Sequence, residues 1–126
     1  IIILTSCDFL NNGKDTINFI NSSPNEVSVA HLHTDSLFNH TEFYISNCVL
    51  PNNSYKLELV DYDAWIRLIE KNEDKKLKVY IFLTDTLKKY RKDFTIKQLI
   101  LLQKYDSILK YSEQDLDELN WKIIYK

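Results

Sequence analysis

The chain has 126 residues, of which 44% are hydrophobic and 13% aromatic; this suffices for one domain with a substantial core and excludes a disordered tail. The formal net charge is −2 with acids and bases interspersed, so we expect no nucleic-acid partner and no polybasic membrane patch. The single glycine, Gly13, excludes a glycine-rich phosphate loop, and we expect no cofactor. Because the chain contains no Met, we expect the natural protein to begin further upstream.

The first seven residues combine an apolar run with two small residues and a cysteine. Leu4-Thr5-Ser6-Cys7 resembles the lipobox of a bacterial lipoprotein, in which the cysteine thiol receives a diacylglycerol. We therefore expect residues 1–7 to be the end of a signal peptide, with Cys7 lipidated and anchored in the outer membrane by two or more acyl chains. The alternative is a buried N-terminal strand that ends in a core cysteine.

The polar segment 8–15 suits a flexible tether, and we expect residues 16–126 to form a single globular domain. Alternation of apolar and polar residues predicts strands at 16–20 and 55–60, and further strands are predicted at 27–33 and 42–45. Turn-forming residues at 21–25 join the first two strands into a predicted hairpin, and 34–41 is predicted to be a polar loop.

The hydrophobic period changes after Asp63. Trp65, Leu68 and Ile69 fall on one face of a predicted helix over 63–71. After a charged turn, Leu77-Lys78-Val79-Tyr80-Ile81-Phe82-Leu83 is the densest run of β-branched and aromatic residues in the chain, which predicts a buried central strand. The residues Thr84-Asp85-Thr86 predict a break after it.

Two capping boxes mark the C-terminal part of the chain. Thr95-Ile96-Lys97-Gln98 and Ser112-Glu113-Gln114-Asp115 predict helices near 95–104 and 113–119. Strands are predicted at 107–111 and 121–125. Strands come first and then alternate with short helices, so we predict an α+β fold with a largely antiparallel, sandwich-like sheet and two or three short helices.

Two blocks of the sequence and Trp65 carry a family resemblance. The blocks are Val79-Tyr80-Ile81-Phe82-Leu83-Thr84-Asp85-Thr86-Leu87-Lys88-Lys89-Tyr90 and a second one made of residues 108–112 and 115–125, with its Leu-Asn-Trp-x-Ile-x-Tyr ending. In these residues the chain resembles a family of small lipoproteins of unknown function from Bacteroides-like bacteria. The resemblance covers roughly residues 15–126 and implies a location in the cell envelope of a Gram-negative anaerobe. It implies no particular activity.

The residues after Cys7 indicate which side of the membrane the protein faces. Surface-export signals in such lipoproteins place several acids directly after the lipidated cysteine, and Phe9-Leu10-Asn11-Asn12 does not supply them. We therefore expect a periplasm-facing protein. Its expected partners are the membrane, through the N-terminal lipid, and an envelope protein or glycan.

His31 and His33 are the candidate metal ligands. They lie two residues apart on a predicted strand and so point to one face, with Asp35 or His40 near enough in sequence to serve as a third zinc ligand. The alternative is an exposed strand face that carries two polar rings.

Cys48 and a group of carboxylates could also carry chemistry. If Cys7 is lipidated, Cys48 has no partner and is expected to be a small buried hydrophobe; otherwise a Cys7–Cys48 disulfide or a catalytic thiol remains open. Asp115, Asp117 and Glu118 lie at a predicted helix start, where acids favour the helix dipole; a glycosidase-like pair is the alternative.

A repeated tripeptide predicts glycosylation. Four places combine Asp, then Ser or Thr, then an aliphatic residue, which resembles the O-glycosylation acceptor of Bacteroides-type envelope proteins; the acceptors would be Thr16, Ser36, Thr86 and Ser107. The alternative is local structure, because Asp and Ser or Thr often cap the ends of strands and helices.

Two functions remain open from the sequence. The first is a lipid-anchored, non-enzymatic binding or structural module of the envelope. The second is a small envelope hydrolase or metal-binding protein that uses His31 and His33. They differ in whether the two histidines and an acid meet in one concave pocket.

Overall fold

A computed structural model describes residues 16–35, 40–59 and 63–126. The described residues form seven strands and four helices. The strands are β1 (Thr16–Asn21), β2 (Val27–Asp35), β3 (His40–Ile45), β4 (Ser54–Glu58), β5 (Leu77–Leu83), β6 (Ser107–Tyr111) and β7 (Lys122–Tyr125). The helices are α1 (Ala64–Lys71), α2 (Thr84–Tyr90), α3 (Ile96–Leu101) and α4 (Glu113–Glu118).

The strands form two sheets. One has three strands in the order β4-β1-β7, and the other has four in the order β3-β2-β5-β6. Each strand pair is antiparallel except β1 with β7, which run parallel from Asn18 opposite Lys122 to Asn21 opposite Tyr125. The predicted α+β class with a largely antiparallel, sandwich-like arrangement is confirmed.

The strand β5 occupies the position predicted for it at the centre of the fold. It pairs with β2 on one side and β6 on the other, and its ends are the predicted Leu77 and Leu83. Leu77, Val79 and Ile81 are fully buried on one face, and Phe82 is fully buried on the other. A strand with apolar residues on both faces is expected where a sheet is covered on both sides.

The first core fills the space between the two sheets and α1. The large sheet contributes residues such as Val29 and Val79, the small sheet contributes Phe19, and α1 contributes the face that the sequence predicted, Trp65, Leu68 and Ile69. Complete burial of a large apolar side chain such as Trp65 stabilises a fold by about 3 kcal/mol. This core therefore joins residues from nearly the whole length of the described chain.

The second core lies on the opposite face of the large sheet. Ile96, Leu99 and Ile100 of α3 pack against Ala30 of β2 and Phe82 of β5. Aromatic rings extend this core, because Tyr80 lies against both Phe43 and Tyr105, with ring centroids 6.0 and 5.1 Å apart. The helix α3 thus forms a third layer over the large sheet.

The predicted hairpin of the first two strands is wrong. The strand β1 pairs with β4 and β7, whereas β2 pairs with β3 and β5, so the turn between β1 and β2 carries the chain from one sheet to the other. Turn chemistry was predicted correctly at this place, but turn residues do not specify which strands will pair. Pairing depends on contacts that are distant in sequence.

Asn21 organises this turn. Its side chain is fully buried, and Nδ2 donates to the carbonyls of Asn25 (2.7 Å) and Val49 (2.9 Å). Its Oδ1 accepts from the backbone N–H (3.0 Å) and the hydroxyl (2.6 Å) of Ser23. Both donors and both acceptor positions of the carboxamide are thereby used, which removes the cost of burying it.

Two helices have matching ends. In α3 and α4 the predicted capping boxes are both present, formed by Thr95 with Gln98 and by Ser112 with Asp115. Both helices also close with two backbone hydrogen bonds around a residue of positive φ, Gln103 at 56° and Asn120 at 56°. This is the Schellman arrangement, usually made with glycine, which the described chain does not contain.

Three further expectations need correction. Residues 84–86 were predicted as a break after the central strand; the strand does end at Leu83, but the helix α2 begins at Thr84 with no break between them. The predicted loop at 34–41 is shorter, because β2 continues to Asp35 and β3 begins at His40. The last strand begins at Lys122 rather than Trp121, because Trp121 has a φ of 57° and packs its buried indole into the first core.

Replacing Asn21 tests the turn network. Asn21→Asp keeps the size of the side chain but places an oxygen opposite two carbonyl oxygens, so we expect the free energy of unfolding to fall by about 3 kcal/mol. The matched change Asn47→Asp, at an exposed position, should alter it by less than about 0.5 kcal/mol. Urea unfolding followed by circular dichroism measures both; equal effects would contradict the role given to Asn21.

Candidate functional site

A polar cleft of about 300 Å³ lies where α2 begins beside the turn between β1 and β2. Glu26, Thr84, Asp85 and Lys88 contribute its polar lining. The Thr84 hydroxyl is 3.4 Å from the Glu26 carbonyl and 3.5 Å from a Glu26 carboxylate oxygen. The cleft therefore brings together a hydroxyl, carboxylates and an amine.

Cys48 is exposed, so its predicted burial is wrong. The reason is local: Val49 is buried and bridges to Val27 of β2, and the preceding side chain points away from the core. The Cys48 Sγ atom lies 3.6 Å from the Thr84 hydroxyl. A catalytic thiol needs a base or cation to form its thiolate, and a threonine hydroxyl is neither. Cys7 lies outside the described residues, so the disulfide alternative stays a prediction.

His31 is a core residue of the large sheet. It is 4% exposed, and its ring packs edge-on against Trp65 with centroids 4.9 Å apart and against Tyr44 at 6.2 Å. Its Nδ1 atom is 3.1 Å from the Leu32 carbonyl oxygen. The alternative that this histidine lies on an exposed strand face is therefore wrong, since the ring is part of an aromatic cluster beneath α1.

The second candidate ligand, His33, has a described backbone position on β2, but its side chain lies outside the described residues. The same holds for Asp35 and His40. Among the side chains that the structure describes, no three of His, Cys, Asp or Glu are grouped so that they could hold a metal ion. The metal site and the hydrolase that would use it stay predictions.

The carboxylates of α4 each have a structural partner. Asp115 accepts from the Ser112 backbone N–H at 2.9 Å, and Asp117 accepts from the Trp121 indole N–H at 2.8 Å. Glu118 accepts from the Gln114 side chain at 3.3 Å. The hydrogen bonds from Ser112 lower the pKa of Asp115, so this carboxyl stays ionised and is unsuited to be a general acid. The arrangement supports helix capping rather than a glycosidase pair.

The predicted glycosylation acceptors occupy several environments. Thr16, at the start of β1, is half-buried, as are Thr86 in α2 and Ser107 in β6, whereas Ser36 lies outside the described residues. The Thr86 hydroxyl donates to Asp106 at 3.2 Å, and the other oxygen of Asp106 accepts from the Leu83 N–H at 2.8 Å. One of the four motifs thus binds the start of the helix that contains another, through contacts that are distant in sequence. Glycosylation and its local-structure alternative both stay predictions.

An apolar groove of about 580 Å³ lies between the edge strand β3 and the segment that joins α2 to α3. Its apolar lining comes from Phe43, Ile45, Phe94 and Ile96, and the cations Arg91 and Lys97 also line it. The sequence did not predict this groove, because its lining comes from segments that are distant along the chain. Only its cations had a local signal, the run Lys88-Lys89-Tyr90-Arg91-Lys92, to which Arg91 belongs.

Comparison with known proteins adds no identity: no protein-family model, no curated protein and no solved structure matches the chain. None of the helices in the described part of the chain combines the length and the apolar character needed to cross a membrane.

The lowered pKa of Asp115 predicts a pH dependence. A carboxyl whose pKa falls on folding stabilises the fold above its ordinary value of 3.8, and this contribution is lost as the pH falls through the lower, folded-state pKa. We expect Asp115→Asn to be less stable than the wild type at pH 7 and the difference to shrink below pH 3.8. Chemical unfolding across this pH range measures it, with the exposed β4 variant Glu58→Gln as the control; a constant difference would contradict the assignment.

Proposed function

We propose that this protein is a lipid-anchored component of a bacterial cell envelope and serves there as a binding or structural module. The observation that carries the proposal is Leu4-Thr5-Ser6-Cys7, which has the aliphatic residue, the two small residues and the cysteine that lipoprotein processing requires. The proposed anchor is the Cys7 thiol, in the outer membrane, with the domain facing the periplasm.

The position of the first strand supports this arrangement. Thr16 opens β1 nine positions after Cys7, and such a length of chain spans at most about 30 Å. An anchor at Cys7 would therefore keep the domain next to the bilayer and raise its effective concentration for anything else on that surface. A tethered binding module benefits from this proximity without any chemistry of its own.

The polar side chains of the domain support a non-enzymatic module. His31 packs in the core, the α4 carboxylates cap and brace their helix, and Asp106 holds the start of α2. These groups have structural partners that explain their presence. The partner that the module would bind is an envelope protein or glycan.

Metabolic labelling tests the anchor. In the native host, a clickable palmitate analogue should label the wild-type protein and should not label Cys7→Ala, because the acceptor thiol is gone. Cys48→Ala is the matched control, since Cys48 is an exposed thiol that could also be acylated, and it should label like the wild type. Labelling that persists in Cys7→Ala, or an unlabelled wild type in the soluble fraction, would overturn the proposal.

We also propose that the envelope protein carries an O-linked glycan on at least one of Thr16, Ser36, Thr86 and Ser107. The intact mass of the natively expressed protein should exceed the mass of the lipidated polypeptide by sugar residues, and combined replacement of the four acceptors by Ala or Val should remove the excess. Expression in a host without the glycosylation system is the control. A native mass that fits the lipidated polypeptide alone would contradict this proposal.

A further inference from the structure

Positive charge is concentrated in one part of this weakly acidic chain. Between Lys88 and Lys104 there are six cations and a single acid, Asp93, although the whole chain has a net charge of −2. The six cations are all exposed; they are Lys88, Lys89, Arg91, Lys92, Lys97 and Lys104. The expectation that acids and bases are interspersed is therefore wrong for this segment.

The fold brings four of these cations together on the helical layer over the large sheet. Lys89 of α2 and Lys104, which follows α3, lie over the ring of Tyr90, with their Nζ atoms 5.1 and 5.5 Å from its centroid. Arg91 and Lys97 line the apolar groove between β3 and the segment that joins α2 to α3. Within the part of the chain that the structure describes, no ion pair neutralises any of the six.

Two exposed leucines lie among the cations. Leu101 is 71% exposed and Leu102 is 51% exposed, whereas Leu99 and Ile100 turn inward to the second core. Lys97 and Leu101 are four residues apart in α3 and so share its outer face. We call the surface formed by Lys89, Arg91, Lys97 and Lys104 together with Leu101 and Leu102 the basic face.

We propose that the basic face docks on an anionic phospholipid surface, with the cations at the headgroup phosphates and the two leucines in the interface beneath them. Clustered Lys and Arg attract anionic lipids, and neighbouring apolar side chains add insertion energy. Exposed leucines would gain nothing from contact with the phosphates of a nucleic acid, whereas they can bury apolar surface among lipid chains. A lipid surface is therefore the favoured partner. The inference rests on the proposed lipid anchor, which would keep the domain close to a bilayer.

Vesicle co-sedimentation of the full 126-residue chain, carrying Cys7→Ser so that no lipid is attached, tests the docking alone. We expect binding to vesicles of phosphatidylethanolamine and phosphatidylglycerol that weakens at high salt, and much weaker binding to phosphatidylcholine vesicles. A cation near an anionic surface contributes about fivefold to partitioning, so Lys97→Gln with Lys104→Gln should lower it about 25-fold.

The matched control is Lys56→Gln with Lys122→Gln, which removes the same charge from exposed positions on β4 and β7 and should change partitioning less than about twofold. Leu101→Ser with Leu102→Ser should also weaken binding while leaving the thermal midpoint nearly unchanged, because both side chains are exposed. Equal losses in the two lysine pairs, or no preference for anionic vesicles, would overturn the docking surface. Binding of Lys97 and Lys104 to an acidic envelope protein with no vesicle binding would overturn it as well.

The docking experiment and the labelling experiment test the two proposals independently. Vesicle binding uses the unlipidated chain and does not depend on whether Cys7 is modified. If labelling of Cys7 fails while anionic vesicles still bind the basic face, the anchor is wrong and the surface stands. If labelling succeeds without vesicle binding, the anchor stands and the basic face does not contact lipid.

Discussion

The buried carboxamide of Asn21 ties together segments that are far apart in sequence. Its side chain bonds to Asn25, before β2, and to Val49, before β4, while its backbone bonds to Asn52 and Asn53. The next residue donates its N–H to the Tyr125 carbonyl at the end of β7. The ends of β1 and β7, the start of β2 and the β3–β4 connection therefore meet at one turn. Since β1 and β2 belong to different sheets, the relation between the sheets depends on this junction.

Helices of six to eight residues cannot be stable by themselves, because too few internal hydrogen bonds offset the cost of starting a helix. Here they depend on packing and on their ends. The buried faces of α1 and α3 pack on opposite sides of the large sheet, and β5 contributes to both cores. The boxes at Thr95 and Ser112 satisfy backbone donors that six-residue helices would otherwise leave open. A short helix with both ends closed is a rigid support for whatever its outer face presents.

Local signals in the sequence located most elements, whereas distant contacts decided what could not be predicted. Alternation found β1 and β4, a run of β-branched and aromatic residues found β5, and the two capping boxes found α3 and α4, because these signals lie within a few residues. The start of α2 was missed because a distant carboxylate, that of Asp106, binds its first turn. The exposure of Cys48 depends on the β-bridge between Val49 and Val27, which no local sequence pattern predicts. Likewise, the cations of the basic face are visible in the sequence as a run of positive charge. The exposure of Leu101 and Leu102 beside them depends on how α3 packs on the large sheet.

The parallel pairing of β1 with β7 has a consequence for folding during synthesis. The partners Asn18 and Lys122 are separated by 104 positions, so the small sheet cannot be completed until nearly the last described residue is available. Contacts of such long range form slowly, and a chain that emerges with its N-terminus first has to wait for its final strand. Until then the strand β1, which carries Ile17 and Phe19, can pair only with β4. The strand β1 therefore obtains its second neighbour only after synthesis has passed Tyr125, so the packing of the first core is among the last steps of folding.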